Sequence, residues 1–417
     1  MRVTEPGRGA QRRSVARIPS GAYVPLVSPH DPLVQRRGYG GPRDSAPHAV
    51  DVIVIGAGQA GLCAAYELRR HGFIGYSPDR TAQPGARTFV VLDAEFRPGG
   101  AWQHRWPTLT MGSINHIADL PGFPVGSADP SQEAADFIPT YFAEFEDAFD
   151  LPIFRPVLVH SVTRSGPGNA HPFLVRTTAG TFSARAIINC TGTWTRPFVP
   201  YYPGAASFRG RQFHTQDYPG PRAFEGQRVM IIGGGISALS HLDDVGAVAR
   251  TLWVTRTPPR WRRSAHPHSR GLTAKEGSLI EMKVRARVAE GLPPLPVVAA
   301  TGLPINDWTR SLHDRGLLHR MPMFERLTPE GAIWADGHSV SVDSIIWATG
   351  FRAELRHLVP LGLRSPHGGI ALDDTHVKGD PRIHLIGYGP SASTIGARTA
   401  ARSAVRSIQD VLDRTYA

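Results

Sequence analysis

The 417 residues, 41% hydrophobic and 19% charged, suit a globular chain of about two or three domains and exclude collagen-like and wholly disordered classes. No apolar run approaches the ~18–20 residues of a membrane helix, and no apolar stretch follows the charged N-terminus, so neither a span nor a secretory signal is expected. The net charge of +11 is carried almost wholly by arginine, and two cysteines, Cys63 and Cys190, are too few for a disulfide framework or a four-thiolate metal site, which fits a reducing, cytoplasmic setting.

Residues 1–48 are rich in Arg, Pro and Gly, carry a net +5 and show no hydrophobic period. A flexible, solvated extension is expected there. No helix-turn-helix, zinc-finger or aromatic-basic pattern accompanies the basic charge, so no nucleic-acid partner is expected. The apolar run Ala49–Ile55 comes next, followed by Gly56, Gly58 and Gly61 at G-x-G-x-x-G spacing and then by the apolar run Leu62–Arg70. That order is strand, glycine turn and helix, the fingerprint of a dinucleotide site. The first glycine permits the turn, the second lets the backbone approach a pyrophosphate, and the third lets helix and strand pack closely.

The ribose-binding acid of such a site closes the second strand. Thr88–Asp93 is that strand, which makes Asp93 the candidate, with Glu95 in reserve. The Gly/Pro-rich segment 75–86 is an insertion that delays it. Ala186–Cys190 is a further strand. The same grammar then repeats, with strand Arg228–Ile232, turn residues Gly233, Gly235 and Ala238, and a helix over Leu239–Asp244. Here no carboxylate follows the next strand, Thr251–Thr255; Arg256 and Arg260 stand there instead. Two guanidinium groups suit a 2′-phosphate, which favours NADPH over NADH, against the alternative of a solvated loop that also holds Arg262 and Arg263.

A mixed helical stretch is expected to about residue 320, then a hairpin near Gly331–Gly337, a core strand at Ser344–Gly350, a strand at Arg382–Gly387 and a closing helix over 396–414. The fold class is therefore α/β with two Rossmann-like units. His266 and His268 lie in an Arg-rich loop without further ligands, and no metal is expected. No C-x-x-C pair is present for dithiol-disulfide chemistry.

Phe208, Gly210, His214 and Tyr218 match F-x-G-x-x-x-H-x-x-x-[YFW] between the two glycine turns. In that pattern and place the chain resembles the flavin-containing and Baeyer–Villiger monooxygenases. Gly99, Gly100 and Trp102 resemble the family's G-G-x-W. Ala348–Gly350 resembles its A-T-G linker, Cys190–Gly192 the earlier counterpart, and Gly387–Gly396, with Ser393, its second FAD-binding segment. The resemblance implies FAD in a unit of residues 49–206 and 351–417, and NADPH in an inserted unit of residues 207–350. It implies reduction of FAD by NADPH, reaction with O2 to a C4a-(hydro)peroxyflavin, and oxygenation of a small molecule at S, N or a carbonyl. It also implies that the cofactor, not titratable residues, carries the chemistry; His214 and Asn115 are the residue candidates. The family's functional Asn position is taken here by Gly112, three residues before Asn115. That departure keeps open an NADPH oxidase or acceptor reductase, and a flavin-bound regulatory protein without turnover is the alternative from another class.

Overall fold

The computed structural model describes residues 46–79, 84–114, 117–263, 274–295, 302–392 and 394–414. Among them the strands form two main sheets, one of ten strands and one of five. In the larger sheet β1 (His48–Ile55) is central. It pairs in parallel with β2 (Thr88–Leu92) on one side and with β3 (Gly180–Asn189) on the other. The glycine turn leads from β1 into α1 (Gln59–Arg70).

The alternation of β1 explains its uninterrupted apolar run. Val52 and Val54 face one core, Ile53 and Ile55 the opposite one, so a parallel central strand is covered on both sides. The first core is closed by α1, by α2 (Ala134–Ala148) and by α5 (Thr394–Arg414). Ala397, Ala400, Ala401, Ala404, Val405, Ile408 and Leu412 recur at helical spacing and bury one face of α5. The small residues bring α5 close to α1, and each fully buried Val, Ile or Leu contributes about 1.5–3 kcal/mol. A charge at Ile408 is the single change most disruptive to this contact.

The smaller sheet draws all its strands from residues 211–347. Its core strands are β4 (Arg211–His214), β5 (Arg228–Ile232), β6 (Arg250–Thr255) and β7 (Ser344–Trp347). β5 lies between β6 and β7, and every pairing is parallel. Val229 and Ile231 pack on α3 (Ile236–Val245), while Met230 and Ile232 pack on Phe324, Leu327 and Trp334. Leu327 and Trp334 cover the sheet's outer face from a small antiparallel sheet over residues 326–341, which contains the expected hairpin, and Phe324 does so from just before it. The chain returns to the larger sheet through β8 (Asp380–Leu385), beside β3.

The stretch after residue 274 departs from the simplest expectation. Helix α4 (Ala274–Ala289) belongs by sequence to the second unit, yet Val284 and Val288 pack with Leu355, Leu358, Ile370 and Leu372 against the larger sheet. That face is also covered by the short helix Arg356–Leu361 and by Val159, Val162, Phe173 and Val175, and α4 completes the cover. No helix among the described residues is long and apolar enough to cross a membrane. Residues 1–45, together with His266, His268, Asn115 and Ser393, lie outside the described residues.

Candidate functional site

Both glycine turns open at the carboxyl ends of their sheets, the position where parallel α/β sheets gather ligands. They border one continuous cleft of about 2040 Å³, lined on one side by Gly56–Ala60 and on the other by Gly233–Ser237. Gly56 has φ +96°, and a Cβ there would come within 2.8 Å of the Cys190 carbonyl oxygen. Its N–H donates to the Leu92 carbonyl at 2.8 Å, and the Cys190 N–H to that of Ile55 at 2.8 Å. The turn is thus clasped between β2 and the end of β3. At the third position a Cβ on Gly61 would overlap the Gly56 carbonyl, whereas the second turn accommodates Ala238, fully buried under α3. Neither Gly61 nor Ala238 lines the cleft, as the packing role requires.

Helices α1 and α3 both start at a glycine, Gly58 and Gly235, with no side-chain cap and no acidic residue in the first turn. Free N–H groups and the positive dipole end therefore face the cleft twice. An anionic pyrophosphate fits each.

The ends of the neighbouring strands differ. Asp93 directly follows β2 and is buried. Its Oδ2 accepts from Arg155 Nε at 2.6 Å, and Arg155 grips Glu146 with its two terminal nitrogens at 2.6 and 2.7 Å. The Ala57 N–H of the glycine turn also reaches the Asp93 carboxylate. Burial lifts the Asp93 pKa, and the Arg155 charge and hydrogen bond oppose that rise. Asp93 still lines the cleft beside Ala94 and Glu95. At the matching end of β6 stand Thr255 and Arg256. Arg256 is exposed, lines the cleft with Arg260, and makes no hydrogen bond or ion pair with described residues. The second turn is held by a group the sequence did not suggest, the Trp253 indole, whose Nε1–H donates to the Gly233 carbonyl at 2.8 Å.

Gly100 abuts the first turn, since a Cβ there would lie 2.9 Å from the Gly58 Cα. Trp102, two residues on, lines the cleft, as does Gly396 in the first turn of α5. Past Trp102, the Arg105 guanidinium lies 5.3 Å from the Trp102 ring and 4.2 Å from that of Trp194. Trp194 stacks on Phe351 at 5.0 Å, just past the 348–350 linker. Farther along that wall Arg196 is held below the usual arginine pKa by burial and by the charges of Arg356, Arg352 and Arg364. The Arg105–Trp194 pair was missed from sequence because nothing local joins the two positions.

The motif residues Phe208, Gly210, His214 and Tyr218 do not line the cleft. Phe208 is buried in the core beneath β5, and Tyr218 packs against Trp106, Phe224 and His241. A Cβ on Gly210 would overlap the Asp343 carbonyl. His214 is fully buried. Its Nδ1 accepts from the Gln216 N–H at 3.1 Å, which leaves Nε2–H to donate to the Gly350 carbonyl at 3.0 Å. Burial pulls its pKa down to about 4. Both ring nitrogens are engaged, so His214 fastens the linker to β4 and is not placed to act on a ligand. This corrects the catalytic candidacy drawn from the motif. Gly112 likewise stands outside the cleft, with its N–H on the Pro130 carbonyl at 2.8 Å. Cys63 and Cys190 are free and buried, and burial pushes the Cys63 thiol up to about 12 and that of Cys190 higher still.

Residues 103–274 match the family model described as pyridine nucleotide-disulphide oxidoreductase, and residues 51–74 that described as FAD binding domain. Among solved structures, the chain is similar to a flavin-containing monooxygenase from Stenotrophomonas maltophilia. Identity is 33%, coverage 88% of this chain and 99% of that one, with a TM-score of 0.70. A doubly substituted variant of a flavin monooxygenase from that organism gives 34% identity, the same coverage and a TM-score of 0.71. An uncharacterized CzcO-like oxidoreductase of Geobacillus kaustophilus is 23% identical over 309 residues, covering 74% of this chain and 82% of its own length.

Proposed function

The chain belongs to the flavin-containing monooxygenase family, and on that premise we propose that it oxygenates a small molecule at a sulfur, nitrogen or carbonyl centre. It is an FAD- and NADPH-dependent oxidoreductase. The observation that carries the cofactor assignment is the pair of uncapped helix N-termini facing one cleft, the first followed by a carboxylate and the second by an arginine.

FAD belongs to the unit of residues 49–206 and 351–417. There the α1 N-terminus receives its pyrophosphate and Asp93 accepts from the ribose hydroxyls. Gly100 and Trp102 close the first turn over it, and Gly396 lies in the first turn of α5. NADPH belongs to the unit of residues 207–350, with its pyrophosphate at Gly233–Ala238 and its 2′-phosphate on Arg256 and Arg260. Bound FAD supplies the redox chemistry, taking a hydride from NADPH and passing electrons to O2. The protein's part is to hold both cofactors in one cleft and to keep bulk water from the reacting edge, for which the aromatic wall of Trp102, Trp194 and Phe351 is suited.

The test is the fate of the electrons. Purified, flavin-loaded enzyme is given NADPH, ¹⁸O-labelled O2 and a panel of thioethers, amines and ketones. Incorporation of one labelled oxygen per NADPH consumed supports the proposal. Full recovery of the electrons as hydrogen peroxide, whatever the substrate, replaces it with an NADPH oxidase.

A further inference from the structure

Among the cations that line the cleft, Arg105 is set apart by its place between two indoles. Arg105 follows the short helix Gly100–His104 and projects between the Trp102 and Trp194 indoles. Its Nε is buried without a hydrogen-bond partner, and its terminal nitrogens, on the cleft wall, make no hydrogen bond or ion pair with described residues. Two indole faces attract a guanidinium but leave its charge unneutralised.

Every carboxylate lining the cleft among the described residues already has a basic partner. Asp93 is held by Arg155, Glu95 by His104, Glu281 by Arg285 and Glu354 by Arg356. None is left for Arg105. Desolvation is accordingly the sole cause that lowers its pKa, to about 10, and it remains charged at neutral pH. A partly desolvated cation with a planar donor fork and aromatic walls on two sides has the makings of a carboxylate receptor. The helix N-termini and Arg256 already provide for the cofactor phosphates. Arg105 stands instead beside Trp194, which stacks on Phe351 where the linker between the two sheets ends.

We propose that Arg105 binds the carboxylate of the substrate, so that the enzyme acts on small aromatic or apolar acids and holds the acid group by a two-pronged hydrogen bond between the two indoles. This rests on the oxygenase reading for turnover but not for binding.

The test uses 4-(methylsulfanyl)benzoate and its neutral counterpart 4-(methylsulfanyl)benzamide, titrated by calorimetry into the oxidised, FAD-loaded, NADP-bound enzyme. The expected result is a preference for the acid of about tenfold or more. Arg105→Gln collapses that ratio towards one, and Arg105→Lys restores part of it. Equal affinity for acid and amide in the wild type overturns the proposal. So does an Arg105→Gln enzyme in which both ligands weaken alike, the mark of a packing role. An intact acid preference with a raised KM for NADPH or a lowered flavin content also overturns it, and moves Arg105 to a cofactor phosphate. Acid-selective binding without oxygen transfer leaves this inference standing and removes the oxygenase reading instead.

Discussion

The two glycine turns occupy equivalent places and are built for different ends. Each follows a central strand paired in parallel on both sides, each opens an uncapped helix, and each donates an N–H to the strand beside it, Gly56 to Leu92 and Gly233 to Val254. The first is rigidly backed. Gly61 admits no methyl group, and Asp93 is fixed by a buried chain running through Arg155 to Glu146. The second tolerates Ala238, and the arginine after its neighbouring strand, Arg256, is exposed. A buried, pre-oriented acid suits a resident cofactor with a bare ribose. An exposed arginine suits a cofactor that enters, delivers a hydride and leaves with its 2′-phosphate.

The largest effect that would break this contrast is expected at Gly61→Ala. The added methyl has no space against the Gly56 carbonyl, so the protein should purify without flavin, read as the ratio of visible to ultraviolet absorbance. The mirror change, Ala238→Gly, should cost only about 0.5–1 kcal/mol of stability and leave flavin content intact. Asp93→Ala comes next. It removes the proposed ribose contact and one charged hydrogen bond to Arg155, which keeps Glu146 as its partner, for a loss of about 1.5–3 kcal/mol. Equilibrium dialysis should show a large rise in the FAD Kd with no matching rise in KM for NADPH. Arg256→Ala should raise KM for NADPH roughly ten- to a hundredfold while leaving NADH nearly unaffected. Equal loss for both nucleotides would erase the assigned role.

The smallest effect concerns acid. Burial pulls the folded-state pKa down to about 4 for His214, about 3 for His241 and about 3 for His384. The unfolded chain takes up these protons near pH ~6.5. Between those values the unfolded state binds more protons, so stability is full above about pH 6.5 and is lost as the pH falls towards 4 and then 3. His241 lies under the smaller sheet, His384 in the larger one and His214 at the linker between them. The urea midpoint should therefore fall with acid for both cofactor sites together. Flavin release well above pH 6.5 would show that some other group governs it.

The sequence disclosed those features whose physics is local. A glycine turn, an apolar strand and a helix start are neighbours along the chain, so the places of Gly56–Gly61, Asp93, Gly233–Ala238 and Arg256 at strand ends and helix starts were legible. What supports them was not. Arg155 reaches Asp93 across 62 residues, and Trp253 locks Gly233 from the next strand. Arg105 and Trp194 meet only because two loops converge on the cleft. The motif around Phe208, Gly210, His214 and Tyr218 was legible as a pattern but not as a role. Its spacing reflects how β4 is packed and how His214 ties down the linker, and packing leaves the same imprint on a sequence as chemistry does.

Helix α4 sets a mechanical condition on all of this. Encoded within the inserted segment, it spends Val284 and Val288 on the host sheet's core. The insertion is therefore not a detachable cassette. Excised alone, it would expose a greasy stripe with no cover, and its host would lose a lid. Exchange of this segment between relatives should yield soluble chimeras only where the donor's α4 matches the recipient's Leu355, Leu358 and Leu372, so recombination breakpoints should cluster outside that contact rather than at the linkers.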